Sequence, residues 1–145
     1  MKQQTIKQSV SISGTGLHTG QKGTLTFNPA SEHHGIKFRR VDIEGQPIVE
    51  ARVENVVDTS RGTTIAQNGV RVYTVEHILA SVRGAGIDNV LIDINCEEPP
   101  IQDGSAKNMI ETLTSAGIVE QNAEREYLRI DKEVKYINEK IGVQA

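Results

Sequence analysis

The spacing of the apolar residues changes at Thr74, and this change limits the possible folds more than any other feature of the sequence. Before Thr74, apolar residues recur at every second position in several short runs, which is the pattern of half-buried β-strands. After it, the spacing becomes i, i+3, i+4 and i+7, which forms one stripe of a helix: Val75, Ile78, Leu79 and Val82. We expect Thr74 to cap this helix and Gly84 to end it.

Strand-like runs fill the first half of the chain. They cover Thr5–Ser13, the segment around Leu25 and Phe27, the run from Ile36 to Phe38, and the positions Val49, Ala51 and Val53. Two further runs, Thr63–Ala66 and Val70–Tyr73, flank the tripeptide Gln67-Asn68-Gly69. Because Asn-Gly accepts the positive φ angles of a type I′ turn, these two runs are predicted to form a β-hairpin.

The second half alternates between strands and helices. Val90–Ile94 is a compact strand, and a second helix is predicted to begin at Ser105 and end at Gly117, with a stripe of Met109, Ile110 and Leu113. The segment Tyr127–Ile137 alternates again and is predicted to be a strand. This order predicts an α+β fold, a mixed and mostly antiparallel sheet with two helices packed on one face. We expect one domain over residues 1–125 and the start of a truncated second domain over residues 126–145.

Composition excludes several classes of protein. No run approaches the ~20 apolar residues of a membrane helix, and the N-terminus lacks the apolar core of a secretory signal. The single cysteine, Cys96, cannot form an internal disulfide or a cysteine-rich zinc site. With 16 basic against 19 acidic residues and 3% aromatic residues, the chain has no signature of nucleic-acid binding. A cytoplasmic protein is the default expectation.

The tetrapeptide Thr74-Val75-Glu76-His77 is the strongest candidate site. Glu76 and His77 fall in the predicted first turn of the helix, beside unpaired N–H groups and the positive end of the helix dipole. That field favours an ionised carboxylate and a neutral imidazole whose lone pair is free for a metal. A metal ligand beside a free carboxylate is the arrangement that zinc hydrolases use. The same residues also suit an ordinary helix start, and a catalytic zinc usually takes several protein ligands.

Two loops contain further candidates. Ser13–Gly20 carries three glycines and His18, so its backbone can approach a ligand closely; alternatively it is a plain connection with a solvent-facing histidine. In Glu97–Ser105, two prolines stiffen the loop, and Asp103 precedes the second helix. Asp103 is a candidate to orient a metal-bound imidazole, or alternatively to cap the helix or form an Asx turn.

In combination, these segments resemble the bacterial zinc-dependent UDP-3-O-acyl-N-acetylglucosamine deacetylase family, which commits precursors to lipid A synthesis. The matching segments follow the order and spacing of the family: Gly14–Gly20, Thr74–Leu79, Gly86–Asn89 and Glu98–Ser105. The resemblance implies a two-domain enzyme in which each domain is a sheet with two helices, of the type seen in the second domain of ribosomal protein S5. It also implies Zn²⁺ as cofactor and UDP-3-O-acyl-N-acetylglucosamine as substrate.

The resemblance further implies roles for individual residues. His77 is the expected zinc ligand, Glu76 is the expected general base that activates water, and the loop Arg61-Gly62-Thr63 is expected to line the mouth of the active site. The remaining candidates for contacts to the substrate or to the zinc ligand lie in loops: His18, Gly62, Thr63 and Asp103.

The other zinc ligands and the general acid of the family come from its second domain. We therefore expect this chain to be the N-terminal half of the enzyme, to need the C-terminal domain as its partner, and to be inactive alone. Two other classes stay open: a non-catalytic α+β module that binds a protein or RNA, and a dimerisation module in which two copies of His77 share a metal. The lack of a basic face argues against RNA, and a pure scaffold leaves the pair Glu76-His77 unexplained.

Overall fold

The computed structural model describes residues 1–144 and has the α+β fold that the sequence predicts. Its strands are β1 (Lys2–Ile6), β2 (Val10–Thr15), β3 (Lys22–Pro29), β4 (Ile36–Arg40), β5 (Ile48–Glu50), β6 (Val56–Asp58), β7 (Thr64–Gln67), β8 (Val70–Val72), β9 (Val90–Ile94), β10 (Ile118–Glu124), β11 (Ile137–Asn138) and β12 (Val143–Gln144). Its helices are α1 (Glu76–Gly84) and α2 (Lys107–Ser115), and a 3-10 turn covers Val53–Asn55.

The largest sheet has five strands in the order β2-β3-β9-β4-β5. Its neighbouring strands are antiparallel except β4 and β9, which run parallel with Phe38 opposite Ile92. Because side chains alternate along a strand, Phe27, Phe38 and Ile92 fall on one face, and all three are fully buried. The opposite face is polar, and there Arg39 donates two hydrogen bonds to the carboxylate of Asp93.

Both helices contribute their apolar stripes to the same core. The fully or almost fully buried members are Val75, Ile78, Val82, Met109 and Leu113. The remaining stripe residues, Leu79 and Ile110, are half-buried. The helices approach each other closely at Gly84, where an added Cβ would lie 3.3 Å from Ile110 Cδ1. Neither helix within residues 1–144 has the length and apolar character needed to cross a bilayer.

The ends of the helices agree only in part with the sequence predictions. Gly84 ends α1 as predicted, but α2 begins at Lys107 rather than Ser105, whose hydroxyl accepts a hydrogen bond from the Lys107 N–H. Thr74 does not cap α1. Its backbone φ is 51°, in the left-handed region, and its hydroxyl donates to Glu98, 2.9 Å away. A contact between distant elements therefore replaces the predicted local cap.

A second sheet of three antiparallel strands, β6-β7-β8, precedes α1. Its strands β7 and β8 form the predicted hairpin, and φ angles of 51° at Asn68 and 81° at Gly69 fit a type I′ turn. The almost fully buried Arg40 of β4 donates a 2.8 Å hydrogen bond to the Arg71 carbonyl and so ties this small sheet to the large one. The connection between β6 and β7, residues 59–63, thereby reaches the start of α1.

Two strand predictions in the first half are wrong in extent. Thr5–Ser13 is not one strand, because the Lys7 N–H bonds to the Gly117 carbonyl and the chain then leaves β1 for β2. β1 pairs with β10, whereas β2 pairs with β3. The run that includes Val53 ends earlier, at Glu50, and Val53 is 80% exposed in a 3-10 turn.

The C-terminal strand prediction is also wrong for most of its length. Within Tyr127–Ile137, only Ile137 lies in a strand, and that strand is the two-residue β11. Leu128 is 93% exposed, and residues 127–136 pair with no strand in the described part of the chain. The strand β10 was not predicted, because its sequence is mostly polar. The domain boundary near residue 125 stays a prediction.

Candidate active site

Glu76 opens α1, and the β6–β7 connection holds its carboxylate. The Thr63 N–H donates a 2.8 Å hydrogen bond to Glu76 Oε2, while the Thr63 carbonyl accepts a 3.1 Å hydrogen bond from the Val75 N–H. A Cβ added to Gly62 would lie 3.1 Å from Glu76 Oε1, so glycine permits this close approach. Within residues 1–144, Oε1 has no hydrogen-bond donor, and it is available to accept a proton.

His77 follows Glu76, and the helical period turns its side chain away by about 100°. The side chain is half-buried, and its ring nitrogens have no protein hydrogen-bond partner in the described part of the chain, whereas its carbonyl accepts a 2.7 Å hydrogen bond from the Ser81 hydroxyl. A ring nitrogen with no protein partner, at the positive end of a helix, is a suitable donor for a metal ion.

A complete metal site is absent from the described residues. Residues 1–144 contain no group of three or more His, Cys, Asp or Glu side chains that could hold a metal ion. The imidazole nitrogen of His77 is therefore a suitable zinc ligand. The described residues do not supply the other ligands that a zinc site needs.

His18 approaches the same region from the glycine-rich loop, Ser13–Gly20. Its Nε2 lies 3.0 Å from the carbonyl oxygen of Arg61, so a ring protonated on Nε2 donates to that oxygen. Because Arg61 directly precedes Gly62 and Thr63, this contact joins the glycine-rich loop to the segment that holds Glu76.

A cavity of about 240 Å³ lies between these two loops. The two loops contribute His18, Arg61 and Gly62 to its lining, and the chain entering α1 contributes Thr74. The end of β6 adds Asp58, and the segment after β9 adds Glu98. Gly62 borders the cavity and also lies beside the Glu76 carboxylate. The cavity and the Glu76 carboxylate thus share Gly62 as a neighbour, although Glu76 itself does not line the cavity.

Glu98 anchors the glycine-rich loop, and its side chain is fully buried. The His18 N–H lies 3.1 and 3.0 Å from its two carboxylate oxygens, and the N–H and hydroxyl of Thr19 donate to Oε2 at 2.7 and 2.8 Å. The Thr74 hydroxyl donates to Oε1. Burial alone would raise the pKa of this carboxyl, but the hydrogen bonds from Thr19, His18 and Thr74 outweigh burial and hold the pKa below its usual range.

The sequence places Glu98 in the matching segment Glu98–Ser105 but does not mark it as a site residue. A usable signal was present, because the alternation of β9 continues beyond its last residue. Val90, Ile92, Ile94 and Cys96 are buried at every second position, and the next position in this series is Glu98. A carboxylate on the buried side of an extended strand needs several donors around it, and this requirement would have distinguished Glu98 from the exposed Glu97.

Asp103 lies apart from these residues. It is exposed, and its Oδ1 accepts hydrogen bonds from the N–H and the hydroxyl of Ser105, at 3.0 and 2.8 Å. These hydrogen bonds lower the pKa of Asp103, and their geometry is that of a turn at the start of a helix. The structure thus brings His18, Gly62 and Thr63 together with Glu76, and it places Asp103 in the wall of a different cleft, which Leu17 also lines.

Comparison with known proteins gives one consistent result. Residues 3–145 match the family model described as UDP-3-O-acyl N-acetylglycosamine deacetylase. The UDP-3-O-acyl-N-acetylglucosamine deacetylase of Saccharophagus degradans is 50% identical over 136 residues, which are 92% of this chain and 44% of that protein. The corresponding enzyme of Methylococcus capsulatus is 45% identical, over 91% of this chain and 43% of that protein.

A longer relative shows the same likeness. The bifunctional enzyme LpxC/FabZ of Bacteroides thetaiotaomicron is 46% identical over 142 residues, which are 98% of this chain and 31% of that protein. The chain therefore spans less than half the length of each of these three relatives.

Proposed function

This chain belongs to the UDP-3-O-acyl N-acetylglycosamine deacetylase family, and from that membership we propose that it supplies the general base and one metal ligand of a zinc-dependent deacetylase. The proposed substrate is UDP-3-O-acyl-N-acetylglucosamine, and the proposed products are acetate and the free amine. A nucleotide-linked substrate also fits the cytoplasmic location that we expect from the sequence.

The proposal depends on the position of the Glu76 carboxylate. One of its oxygens is fixed by the Thr63 N–H, while the other has no donor within residues 1–144 and lies beside Gly62. Gly62 in turn lines the cavity. A carboxylate held in this way keeps its orientation and its capacity to accept a proton. Both are required of a general base.

The chemistry assigned to Glu76 is one proton transfer. Its Oε1 takes a proton from a water molecule as the water oxygen forms a bond to the acetyl carbon, and the carbonyl electron pair moves onto the carbonyl oxygen. When the carbon–nitrogen bond breaks, the electron pair returns to form acetate, and the sugar nitrogen leaves as an amine after it takes up a proton. General-base catalysis of this kind contributes roughly 10²–10⁴-fold to a rate.

His77 is the proposed zinc ligand of this chain. Zn²⁺, when bound, polarises the acetyl carbonyl and the attacking water. A catalytic zinc takes more protein ligands than the single one that residues 1–144 offer here, and the related enzymes are more than twice as long as this chain. We therefore assign the remaining ligands and the general acid to sequence outside this chain, and we expect the 145-residue chain alone to be inactive.

Zinc content and acetate release together test this proposal. In the full-length enzyme that contains this chain, His77→Ala is expected to lower both the bound zinc and the release of acetate from the UDP-linked substrate. His33→Asn is the matched control, because His33 is 60% exposed at its side chain and asparagine tolerates its positive φ of 60°. Full zinc content in His77→Ala, or no acetate release by the unaltered enzyme, would contradict the proposal.

A further inference from the structure

We propose that Glu98 is a positioning residue for the base Glu76 and that it acts through the two loops that meet beside the cavity. The inference rests on the proposed function, because it gives Glu98 a part in placing the base of that reaction. Glu98 itself is fully buried and is not expected to touch the reacting atoms.

Glu98 fixes the glycine-rich loop through hydrogen bonds to its carboxylate. Two successive main-chain N–H groups, of His18 and Thr19, point to its carboxylate, and the Thr19 hydroxyl adds a third donor. A Cβ on Gly16 would lie only 2.6 Å from Glu98 Oε2, so the loop wraps the carboxylate as closely as a backbone can. Glu98 therefore fixes where the His18 backbone lies.

His18 is connected to Glu76 through the β6–β7 connection. With its N–H held by Glu98, His18 places its ring Nε2 3.0 Å from the Arg61 carbonyl. Two residues later, the Thr63 N–H donates to Glu76 Oε2. The position of the base thus depends on a loop that is fixed at one end by the histidine ring.

A second and shorter route passes through Thr74. Its φ of 51° is unfavourable for a β-branched residue, so another interaction must hold it there. The hydrogen bond from the Thr74 hydroxyl to Glu98 Oε1 is such an interaction. Because Thr74 lies two positions before Glu76, its conformation sets the direction in which the chain enters α1.

The charge of Glu98 is what this arrangement requires. An ionised carboxylate accepts hydrogen bonds at both oxygens, and here donors reach Oε1 and Oε2 from two separate segments, the glycine-rich loop and Thr74. A glutamine keeps one acceptor oxygen and turns an NH₂ group toward the other set of donors. Glu98→Gln therefore changes the size of the side chain very little and loosens one of the two segments.

The main experiment measures kinetics and amide exchange of Glu98→Gln in the full-length, zinc-loaded enzyme. We expect kcat to fall roughly 10–100-fold, the loss that a displacement of about 1 Å can cause, and KM to change less than kcat, because Glu98→Gln removes no side chain from the cavity lining. We also expect faster hydrogen–deuterium exchange at residues 61–63, in addition to residues 18 and 19. A decrease in stability alone would not produce this pattern.

Asn89 provides a matched control at the other end of β9. It is almost fully buried, it donates to Gln3 and Gln121, and it accepts a hydrogen bond from the Gly35 N–H. Asn89→Ala therefore removes a buried hydrogen-bonding centre that has no contact with the two loops. We expect it to lower stability while kcat and the exchange at residues 61–63 stay unchanged.

A second pair of variants tests the shorter route if Glu98→Gln does not fold. Thr74→Ser keeps the hydroxyl and is expected to keep kcat, whereas Thr74→Val removes the hydroxyl and is expected to lower kcat with little change in KM. Equal kcat in the two variants, unchanged kcat in a folded Glu98→Gln, or faster exchange confined to residues 18 and 19 would each overturn the proposal. If the unaltered enzyme releases no acetate, the proposed function fails, but the exchange at residues 61–63 still decides whether Glu98 holds this loop.

Discussion

The main-chain N–H of Thr63 donates a 2.8 Å hydrogen bond to the Oε2 atom of Glu76, thirteen positions later in the sequence. This bond joins the β6–β7 connection to the first residue of α1. It leaves the other carboxylate oxygen beside Gly62, and Gly62 lines the cavity. The predictions on Glu76 and Gly62 depend on this contact.

Replacement of the proposed base should abolish most of the activity without loss of the metal. Glu76→Gln retains a carbonyl oxygen that can accept from the Thr63 N–H, but it cannot take up a proton. We expect kcat to fall by roughly 10²–10⁴-fold, with zinc content unchanged because His77 is intact. Metal analysis and acetate release on the same full-length preparation test this. A variant with more than half of the original kcat would rule out Glu76 as the base.

Addition of one methyl group at Gly62 should displace the Glu76 carboxylate. Its Cβ would lie 3.1 Å from Glu76 Oε1 and 3.5 Å from Thr74 Oγ1, so the carboxylate must shift by a few tenths of an ångström. We expect Gly62→Ala to lower kcat by about tenfold, less than the loss for a full 1 Å displacement. Gly84→Ala is the control, since its Cβ meets only the flexible end of Ile110. Equal kcat values for the two variants would argue against this interpretation.

The stabilisation from Glu98 should disappear in acid. The folded-state pKa of Glu98 is lowered, so its contribution is complete above the unfolded-state pKa, about 4.3. It is lost as the pH falls through the folded-state value. The difference in free energy of unfolding between the unaltered protein and Glu98→Gln should therefore be constant near neutral pH and shrink in acid. Urea unfolding at a series of pH values measures it. A difference that stays constant into strong acid would show that Glu98 is not an ionised hydrogen-bond acceptor.

The core beneath β3 should not accept a side chain at Gly23. A Cβ there would overlap the Sγ atom of the buried Cys96. We expect Gly23→Ala to lower the free energy of unfolding by roughly 1–3 kcal/mol, the usual cost of overpacking. Cys96→Ala should restore part of this loss when the two changes are combined, because it removes the overlapping atom. Additive losses in the double variant would show that the two positions do not compete for the same space.

Local signals predicted the parts of the fold that depend on neighbouring residues. Asn68-Gly69 specified its turn because few other dipeptides accept two positive φ angles, and the stripe beginning at Val75 specified α1. The pairing of strands could not be predicted in this way. Ile6 and Val10 share one alternating pattern, yet they lie in strands of different sheets. Periodicity determines which side of a strand is buried but does not identify the partner strand.

The same distinction applies to the candidate site. Glu76 and His77 were found because a helix start in a recognisable motif is a local feature. The contact between Thr63 and Glu76 is not local, and its donor is a main-chain N–H that every residue except proline possesses. Residue type therefore gave no indication of it. Glu98 was accessible in principle, because it continues the buried series of β9 beyond the last residue of that strand.

Thr63 holds the start of α1 through its backbone alone. Its N–H donates to the Glu76 carboxylate, and its carbonyl accepts from the Val75 N–H. Exchange of the half-buried side chain at this position can therefore leave the carboxylate of Glu76 held in place. Proline is the exception, since it has no N–H to donate. The support of the Glu76 carboxylate is in this way separate from the choice of side chain at position 63.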